Sequence, residues 1–147
     1  MQAYEYRHRV GFEETNLVGS VYYVNHLRWQ GRCRELFLND HAPGVLKQIE
    51  NGLYLATVHC SCDFFRELKA FDEVIIRMRL GSLVQNRMSL EFEYSVIGAD
   101  GREELVARGE QKIAFMMGRD ANMQPAPIPD ELRLALRAYA STTGGGD

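Results

Sequence analysis

The sequence predicts an α+β fold in which a curled antiparallel sheet of five strands wraps around one long central helix. Five segments alternate apolar and polar residues with the two-residue period of half-buried strands. One stretch near the N-terminus instead has a helical period and is apolar over most of its circumference. Short turns join the last three strands, as is usual between antiparallel strands. Such a sheet and such a helix can bury their apolar surfaces only against each other.

Length and composition limit the classes of protein that this chain can be. Its 147 residues, 46% hydrophobic and 25% charged, are ordinary for one globular domain. We expect that domain to span residues 1–140, followed by a disordered Gly-rich tail over residues 141–147. A net charge of −3 provides no basic face for nucleic acid. Apolar runs stay far below the ~20 residues of a membrane span, so a membrane is not an expected partner either.

The cysteines and the N-terminal segment indicate the compartment. The first ten residues contain no apolar core of a signal peptide. Three cysteines make an odd count, and Cys60 and Cys62 are too close on one strand to form a bridge. We therefore expect reduced thiols in a cytoplasmic protein. Cys60 is interpreted as a core residue because nothing near it in sequence would lower its pKa.

The N-terminal third is predicted to contain a strand, a loop and the long helix. The strand spans Tyr4–Phe12, and the loop Glu13–Ser20 contains Gly19, which tolerates unusual backbone angles. The helix runs from about Tyr22 to Asn39 and carries one narrow polar stripe, about 40° wide. The stripe consists of Arg28, Arg32, Glu35 and Asn39.

The rest of the chain is predicted to be mostly strands. A short helix is expected over Val45–Asn51, and Pro129 should open another that carries Asp130 and Glu131 in its first turn. Turn residues separate the later strands. The predicted strands are Tyr54–Phe65, Glu73–Val84, Met88–Ile97 and Glu103–Met117. In the first of these, alternation places Tyr54, Ala56, Val58, Cys60, Cys62 and Phe64 on one face.

Arg34 is the most informative single residue. It lies about 140° around the helix from the polar stripe, on a side expected to be dry. A buried guanidinium without a partner is very costly. Two interpretations follow: a salt bridge to a carboxylate of a neighbouring strand or subunit, or a fixed cation that faces a substrate carbonyl and stabilises an oxyanion.

Other polar residues in this region also allow two interpretations. Asn16 can cap the loop by bonding to nearby backbone N–H groups. His26, about 160° from Arg28, is either a packed imidazole or a base for a hydrolytic water. Glu35 can pair with Arg32 three residues earlier, and Glu14 could activate water if it turned inward. No metal site is predicted, because His59 and Asp63 have no third converging ligand.

The stretch from Phe12 to Trp29 carries a resemblance to a known family. Its pattern F-x-x-T-N-x-x-G-x-V-Y-Y-x-N-H-x-x-W resembles the signature of the 4-hydroxybenzoyl-CoA thioesterase family of hotdog-fold proteins. The continuation W-Q-G-R-C-R-E, from Trp29 to Glu35, is more narrowly similar to the thioesterases of enediyne polyketide pathways. The resemblance implies a hotdog fold, a dimer whose sheets join edge to edge, and usually a tetramer of two such dimers.

The resemblance also implies roles for individual residues. One branch of the family has a catalytic aspartate at the position of Asn16, whereas the enediyne-type enzymes have an asparagine that works with a helix arginine, here Arg34. The backbone N–H of Tyr23 corresponds to the family's oxyanion donor. His26 departs from the aromatic Tyr or Phe that is usual there. The substrate-binding candidates are His26, Gly19, Leu27, Arg66 and Lys69, with Glu14 and Glu35 as minor candidates.

Arg66 and Lys69 lie in a connection that resembles the family's short basic segment. They could hold the phosphate of coenzyme A or of a phosphopantetheine arm, or they could belong to a solvated turn.

Together these features predict a thioesterase that releases a β-keto, polyunsaturated acyl chain from the acyl-carrier domain of a polyketide synthase, as in antibiotic biosynthesis. Water would be the nucleophile, so no cofactor is expected, and an amide at position 16 leaves no acidic residue in the catalytic role. One alternative is a general acyl-CoA thioesterase. Another, of a different class, is a non-catalytic hotdog protein that binds an acyl chain or a carrier protein.

Overall fold

The computed structural model describes residues 2–140, so the tail predicted over residues 141–147 lies outside the described residues. The elements, in chain order, are β1 (Tyr4–Arg9), α1 (Val24–His41), α2 (Pro43–Glu50), β2 (Leu53–Phe64), β3 (Glu73–Val84), β4 (Arg87–Ile97), β5 (Glu103–Met117), β6 (Gln124–Pro125) and α3 (Asp130–Arg137). Short 3-10 turns occur at Phe12–Glu14 and Asp120–Asn122.

The strands form one antiparallel sheet in the order β1-β3-β4-β5-β2. This confirms the predicted sheet of five long strands. The two-residue β6 pairs with the end of β5 and was not predicted. It is too short to show an alternating pattern, and it contains a proline. β1 and β2 are the two edge strands of the sheet.

The concave face of the sheet packs against α1, as predicted. Trp29, Cys33 and Phe37 of α1 are at most 3% exposed, and they contact a core built from all five long strands. The four residues of the polar stripe are exposed to solvent. The narrow stripe therefore identified correctly which side of the helix the sheet leaves uncovered.

For the first half of β2, the prediction of which side chains share a face is wrong. A register shift between Thr57 and His59 marks a β-bulge, which moves every earlier side chain to the opposite face. As a result Leu53 is buried whereas Tyr54 is 55% exposed. The inward side of this half carries Thr57, which matters for Arg34. A pattern with strict two-residue alternation cannot reveal such a bulge. The interpretation of Cys60 as a core residue is also wrong, because Cys60 on this edge strand is exposed in the chain that the structure describes.

Several element boundaries also differ from the prediction, by one to three residues. β1 ends at Arg9 instead of Phe12, because the chain turns into the 3-10 helix at Phe12. α1 begins two residues late, at Val24, because the Tyr22 N–H donates to the Glu14 carbonyl (2.9 Å) instead of joining the helix. α2 begins earlier than predicted, with Pro43 in its first turn.

Candidate active site

A cavity of about 340 Å³ lies at the N-terminus of α1, between the Asn16 loop and the segment that follows β2. Its lining residues are Asn16, Ser20, Val21, Tyr23, His26, Phe64, Phe65, Arg66, Glu67 and Leu68. Four residues predicted for the site thus border one cavity. A larger cavity of about 610 Å³ lies over the sheet, among ion-paired side chains such as Arg79, Glu93 and Arg108, and contains none of the predicted site residues.

The loop that carries Asn16 is held from both sides. Thr15 and Val21 form an antiparallel bridge, and the Val21 N–H donates to the Leu68 carbonyl (2.8 Å). Between them the chain reverses at Gly19, whose φ of +85° is unfavourable for other residues. These contacts hold the loop against the segment after β2. That segment forms the other wall of the cavity.

Asn16 uses its side-chain oxygen to shape the loop. Its Oδ1 accepts hydrogen bonds from the backbone N–H groups of Val18 (3.0 Å) and Ser20 (3.3 Å). This is the capping role expected of a loop asparagine. Its Nδ2 donates to no residue in the part of the chain that the structure describes. The side chain can therefore hold the loop with its oxygen while its N–H₂ group remains available at the cavity.

Tyr23 brings a free backbone N–H to the same cavity. It is the N-cap of α1, and its N–H donates to no acceptor within residues 2–140. The first N–H groups of a helix have no partner in the preceding turn, and together they carry a partial positive charge. This end of α1 can consequently stabilise negative charge that develops on a ligand oxygen.

His26 forms a buried wall of the cavity. It is 3% exposed, and neither ring nitrogen has a hydrogen-bond partner in the described part of the chain. Aromatic rings of Trp29, Phe64 and Tyr94 surround it at centroid distances of 4.8–5.5 Å. Burial lowers its pKa to about 4, so the ring is neutral near pH 7. This environment favours the packed imidazole over the base, since an efficient base has a pKa near the working pH.

Arg34 is half-buried instead of fully dry, since it borders an open pocket together with Arg32 and Glu35 of the polar stripe, and its hydrogen-bond partners are uncharged. Its Nη1 donates to Gln111 Oε1 (3.2 Å) and, at 3.4 Å, to Thr57 Oγ1. No carboxylate in residues 2–140 comes within salt-bridge distance of it. Burial lowers the pKa of the guanidinium, and the nearby charge of Glu35 opposes that effect. The salt-bridge interpretation therefore finds no support within the described chain.

Arg34 and the cavity are separated within one chain. His26 and Arg34 are eight positions apart on α1, which corresponds to about 12 Å along the helix axis. Arg34 also contacts β2 near its middle, at Thr57, whereas the cavity meets the last residue of β2, Phe64. One chain alone therefore does not bring Asn16 and Arg34 together.

The two glutamates considered for catalysis are both engaged elsewhere. Glu35 is exposed and pairs with Arg32 at 3.4 Å. Glu14 accepts hydrogen bonds from His8 Nε2 (2.7 Å), the Gly11 N–H (2.8 Å) and Trp29 Nε1 (2.9 Å). Burial tends to raise the pKa of Glu14, but these bonds outweigh it and hold the pKa below the usual value. Neither glutamate lines the cavity beside Asn16, but both border a separate open pocket of about 660 Å³ that also contains Arg34.

The remaining substrate-binding candidates lie mostly outside the cavity. Arg66 borders it and forms an ion pair with Glu104. Lys69 is exposed, and its backbone bridges Ser20. Gly19 shapes the loop, and the half-buried Leu27 does not line the cavity. We did not predict the wall formed by Phe64 and Phe65, although two aromatic residues at a strand end were a visible signal.

The family model of the thioesterase-like superfamily matches residues 10–136, which include the cavity and α1. The chain belongs to this superfamily. It is a thioesterase with a hotdog fold, as the resemblance in its sequence implied. No helix within residues 2–140 is long and apolar enough to cross a membrane.

Solved structures identify individual thioesterases that this chain is similar to. The dynemicin thioesterase, whose crystal structures describe induced-fit and allosteric effects upon polyene binding, is 47% identical to this chain. The match covers 96% of this chain and 99% of that one, with a TM-score of 0.91. Gentisyl-coenzyme A thioesterase is 26% identical (TM-score 0.73), with 90% of this chain and 98% of that one covered. The 4-hydroxybenzoyl-CoA thioesterase from Pseudomonas sp. strain CBS-3 is 19% identical (TM-score 0.79; 91% and 99% covered) and shares the fold. No curated protein matches the chain.

Proposed function

We propose that this thioesterase releases a β-keto, polyunsaturated acyl chain from the acyl-carrier domain of an enediyne-type polyketide synthase. The 47% identity to the dynemicin thioesterase over almost the whole of both chains supports the pathway. The aromatic wall formed by His26, Phe64 and Phe65 suits a flat, conjugated chain. The exposed basic groups of Arg66 and Lys69, at and beside the cavity, suit the phosphate of a phosphopantetheine arm.

The chemistry that we propose needs no acidic residue. Water attacks the thioester carbonyl carbon, and the resulting oxyanion accepts hydrogen bonds from the Tyr23 N–H and from Asn16 Nδ2. The tetrahedral intermediate then collapses, the carbon–sulfur bond breaks, and the sulfur leaves with a proton as the carrier thiol. The released β-keto acid can lose carbon dioxide without further help from the protein, which would give a methyl ketone.

The main support for this mechanism is the environment of Arg34. Arg34 is a half-buried cation whose side chain bonds to two neutral groups, Thr57 and Gln111, and a partly desolvated charge is costly unless it interacts with a negative charge. A negative charge that exists only during the reaction is such a partner. Arg34 would then stabilise the oxyanion together with Asn16.

A dimer would bring these two residues together. β2 is a 12-residue edge strand without a partner on its outer side in residues 2–140, and such edges are normally covered. Antiparallel pairing of two β2 strands about a twofold axis near Cys60 and Ser61 would place the partner subunit's Thr57 opposite Phe64. Because Arg34 contacts Thr57, the partner subunit's Arg34 would then approach the cavity. Further association of two such dimers would give the tetramer that the resemblance implies.

The substrate is tested by mass spectrometry of a polyunsaturated β-ketoacyl carrier protein incubated with the purified protein, beside the same acyl group on coenzyme A. We expect the acyl group to leave the carrier protein faster than it leaves coenzyme A. Faster hydrolysis of the coenzyme A ester would instead support a general acyl-CoA thioesterase. An acyl group that stays on both would contradict the proposal.

The catalytic role is tested by Arg34→Ala, with Arg32→Ala as the matched control on the same helix. Arg34→Ala should reduce kcat at least about 100-fold, as expected when an oxyanion-stabilising group is removed. Arg32→Ala removes only an exposed ion pair with Glu35 and should leave kcat unchanged. Near wild-type hydrolysis by a folded Arg34→Ala variant would refute the mechanism.

A further inference from the structure

We infer that Glu14 is a positioning residue, which fixes the Tyr23 N–H and the Asn16 loop in the geometry that the reaction requires. The inference rests on the proposed function, since it concerns how that site is held. Glu14 lies two residues before Asn16, yet it does not line the cavity that Asn16, Tyr23 and His26 border. It borders a separate open pocket of about 660 Å³, together with Arg34.

The carboxylate of Glu14 ties three parts of the chain together. Its Oε1 accepts from His8 Nε2 on β1 (2.7 Å) and from the Gly11 N–H (2.8 Å). Its Oε2 accepts from Trp29 Nε1 on α1 (2.9 Å). Tyr6 extends the network through His8 Nδ1 (2.9 Å), and the rings of His8 and Trp29 pack 4.8 Å apart. Bonds to an ionised acceptor are stronger than neutral ones, so this cluster is a rigid anchor.

The backbone carbonyl of Glu14 connects this network to the candidate site. Its carbonyl oxygen accepts from the Tyr22 N–H (2.9 Å) and from Asn25 Nδ2 (2.9 Å). Tyr22 immediately precedes Tyr23, and Asn25 lies in the first turn of α1. The two bonds therefore hold the Tyr22 peptide group, just before the Tyr23 N–H, and the side chain of Asn25, just after it. A shift of about 1 Å in a catalytic donor can reduce the rate about 100-fold.

The same contacts argue against Glu14 as a general base. Its oxygens already accept three bonds from the protein, and its pKa is lowered. A base for water needs an oxygen that can reach the substrate and a pKa near the working pH. Glu14 has neither property in this structure, because it faces β1 and Trp29 instead of the cavity.

The test compares Glu14→Gln, Trp29→Phe and the double variant under the hydrolysis assay. Glu14→Gln places an N–H₂ donor where the carboxylate accepted, and Trp29→Phe removes one donor to it while it retains an aromatic ring. If Glu14 acts by position, kcat should fall about 10- to 100-fold in Glu14→Gln with KM unchanged. Trp29→Phe should lower kcat as well, by a smaller factor than Glu14→Gln, and again with KM unchanged. The double variant should be no worse than Glu14→Gln alone, because both changes break one network.

Three outcomes separate this inference from its alternatives. Wild-type kcat in folded Glu14→Gln and Trp29→Phe would overturn the positioning role and leave the proposed function intact. A loss confined to Glu14→Gln, with wild-type kcat in Trp29→Phe, would also overturn it and would indicate a chemical role for the carboxylate. Absence of hydrolysis by the wild-type protein would instead refute the proposed function on which the inference depends. Thermal unfolding and gel filtration of each variant check that it is folded and assembled.

Discussion

The buried, unpaired His26 should make the stability of this protein depend on pH in a window where most proteins change little. Its pKa falls from 6.5 to about 4 on folding because burial disfavours the charged ring. The unfolded chain therefore binds a proton more readily than the folded one below pH 6.5. Stability should consequently be constant above about pH 6.5 and decrease as the pH falls from there towards 4.

The size of this loss of stability follows from the difference between the pKa of His26 in the unfolded and the folded chain. One pKa unit corresponds to about 1.4 kcal/mol, so the full depression is worth about 3 kcal/mol at the acid end of the window. About 2 kcal/mol of this should already be lost at pH 5. The titratable neighbour Tyr94 stays neutral throughout the window, since burial raises its pKa. Substitution by Phe also removes two buried nitrogens without partners, each of which costs about 1 kcal/mol or more.

The assay is urea unfolding of wild type and His26→Phe at fixed protein concentration between pH 4.5 and 8. His26→Phe should be more stable than wild type throughout, and the difference should grow by about 2 kcal/mol from pH 7.5 to pH 5. Acid titration of carboxylates cancels in this comparison because both proteins share them. A difference that does not change with pH would refute the assignment of a depressed pKa to His26.

Two further predictions concern packing and assembly. Gly109→Ala should destabilise the fold by about 2 kcal/mol or more, because a Cβ there would overlap Gln30 Nε2 and approach the Ser61 carbonyl oxygen to 2.6 Å. Urea unfolding measures this change. The control is Gly31→Ala, within α1, where a Cβ would have no neighbour within 4 Å; it should raise the free energy of unfolding by about 1 kcal/mol. Val58→Lys, on the free edge of β2, should yield monomers in gel filtration and lose hydrolysis. The control Leu134→Lys, on exposed α3, should keep both assembly and activity, and a fully active, assembled Val58→Lys protein would contradict the edge-to-edge dimer.

Periodicity predicted the fold well because each element obeys one pattern over most of its length. The narrow polar stripe of α1 correctly indicated a helix wrapped by a sheet. Prediction failed where a local hydrogen bond or bulge interrupts the pattern. α1 starts only after the turn in which Tyr22 bonds to Glu14, and the bulge after Thr57 reverses the faces of the first half of β2. Neither event changes the composition of the segment.

The site was only partly predictable for a different reason. Arg34 was identified because a charge on a helix face expected to be dry is anomalous within its own helix. Its partners could not be predicted, since Gln111 is 77 residues away in sequence and Thr57 faces Arg34 only because of the bulge. The network of Glu14 with His8 and Trp29 likewise depends on how β1 packs against α1. One sequence without its fold does not contain these distances.

We propose that Asn16 of one chain and Arg34 of its partner form each catalytic site, and subunit complementation tests this arrangement. Asn16→Ala and Arg34→Ala chains would be assayed separately, then co-refolded or co-expressed and assayed together. Each variant alone should be inactive, whereas a mixed dimer retains one intact site of two. Random mixing makes about half of the dimers mixed, so about a quarter of wild-type kcat should return. An inactive mixture, shown by mass spectrometry to contain mixed dimers, would contradict the shared site.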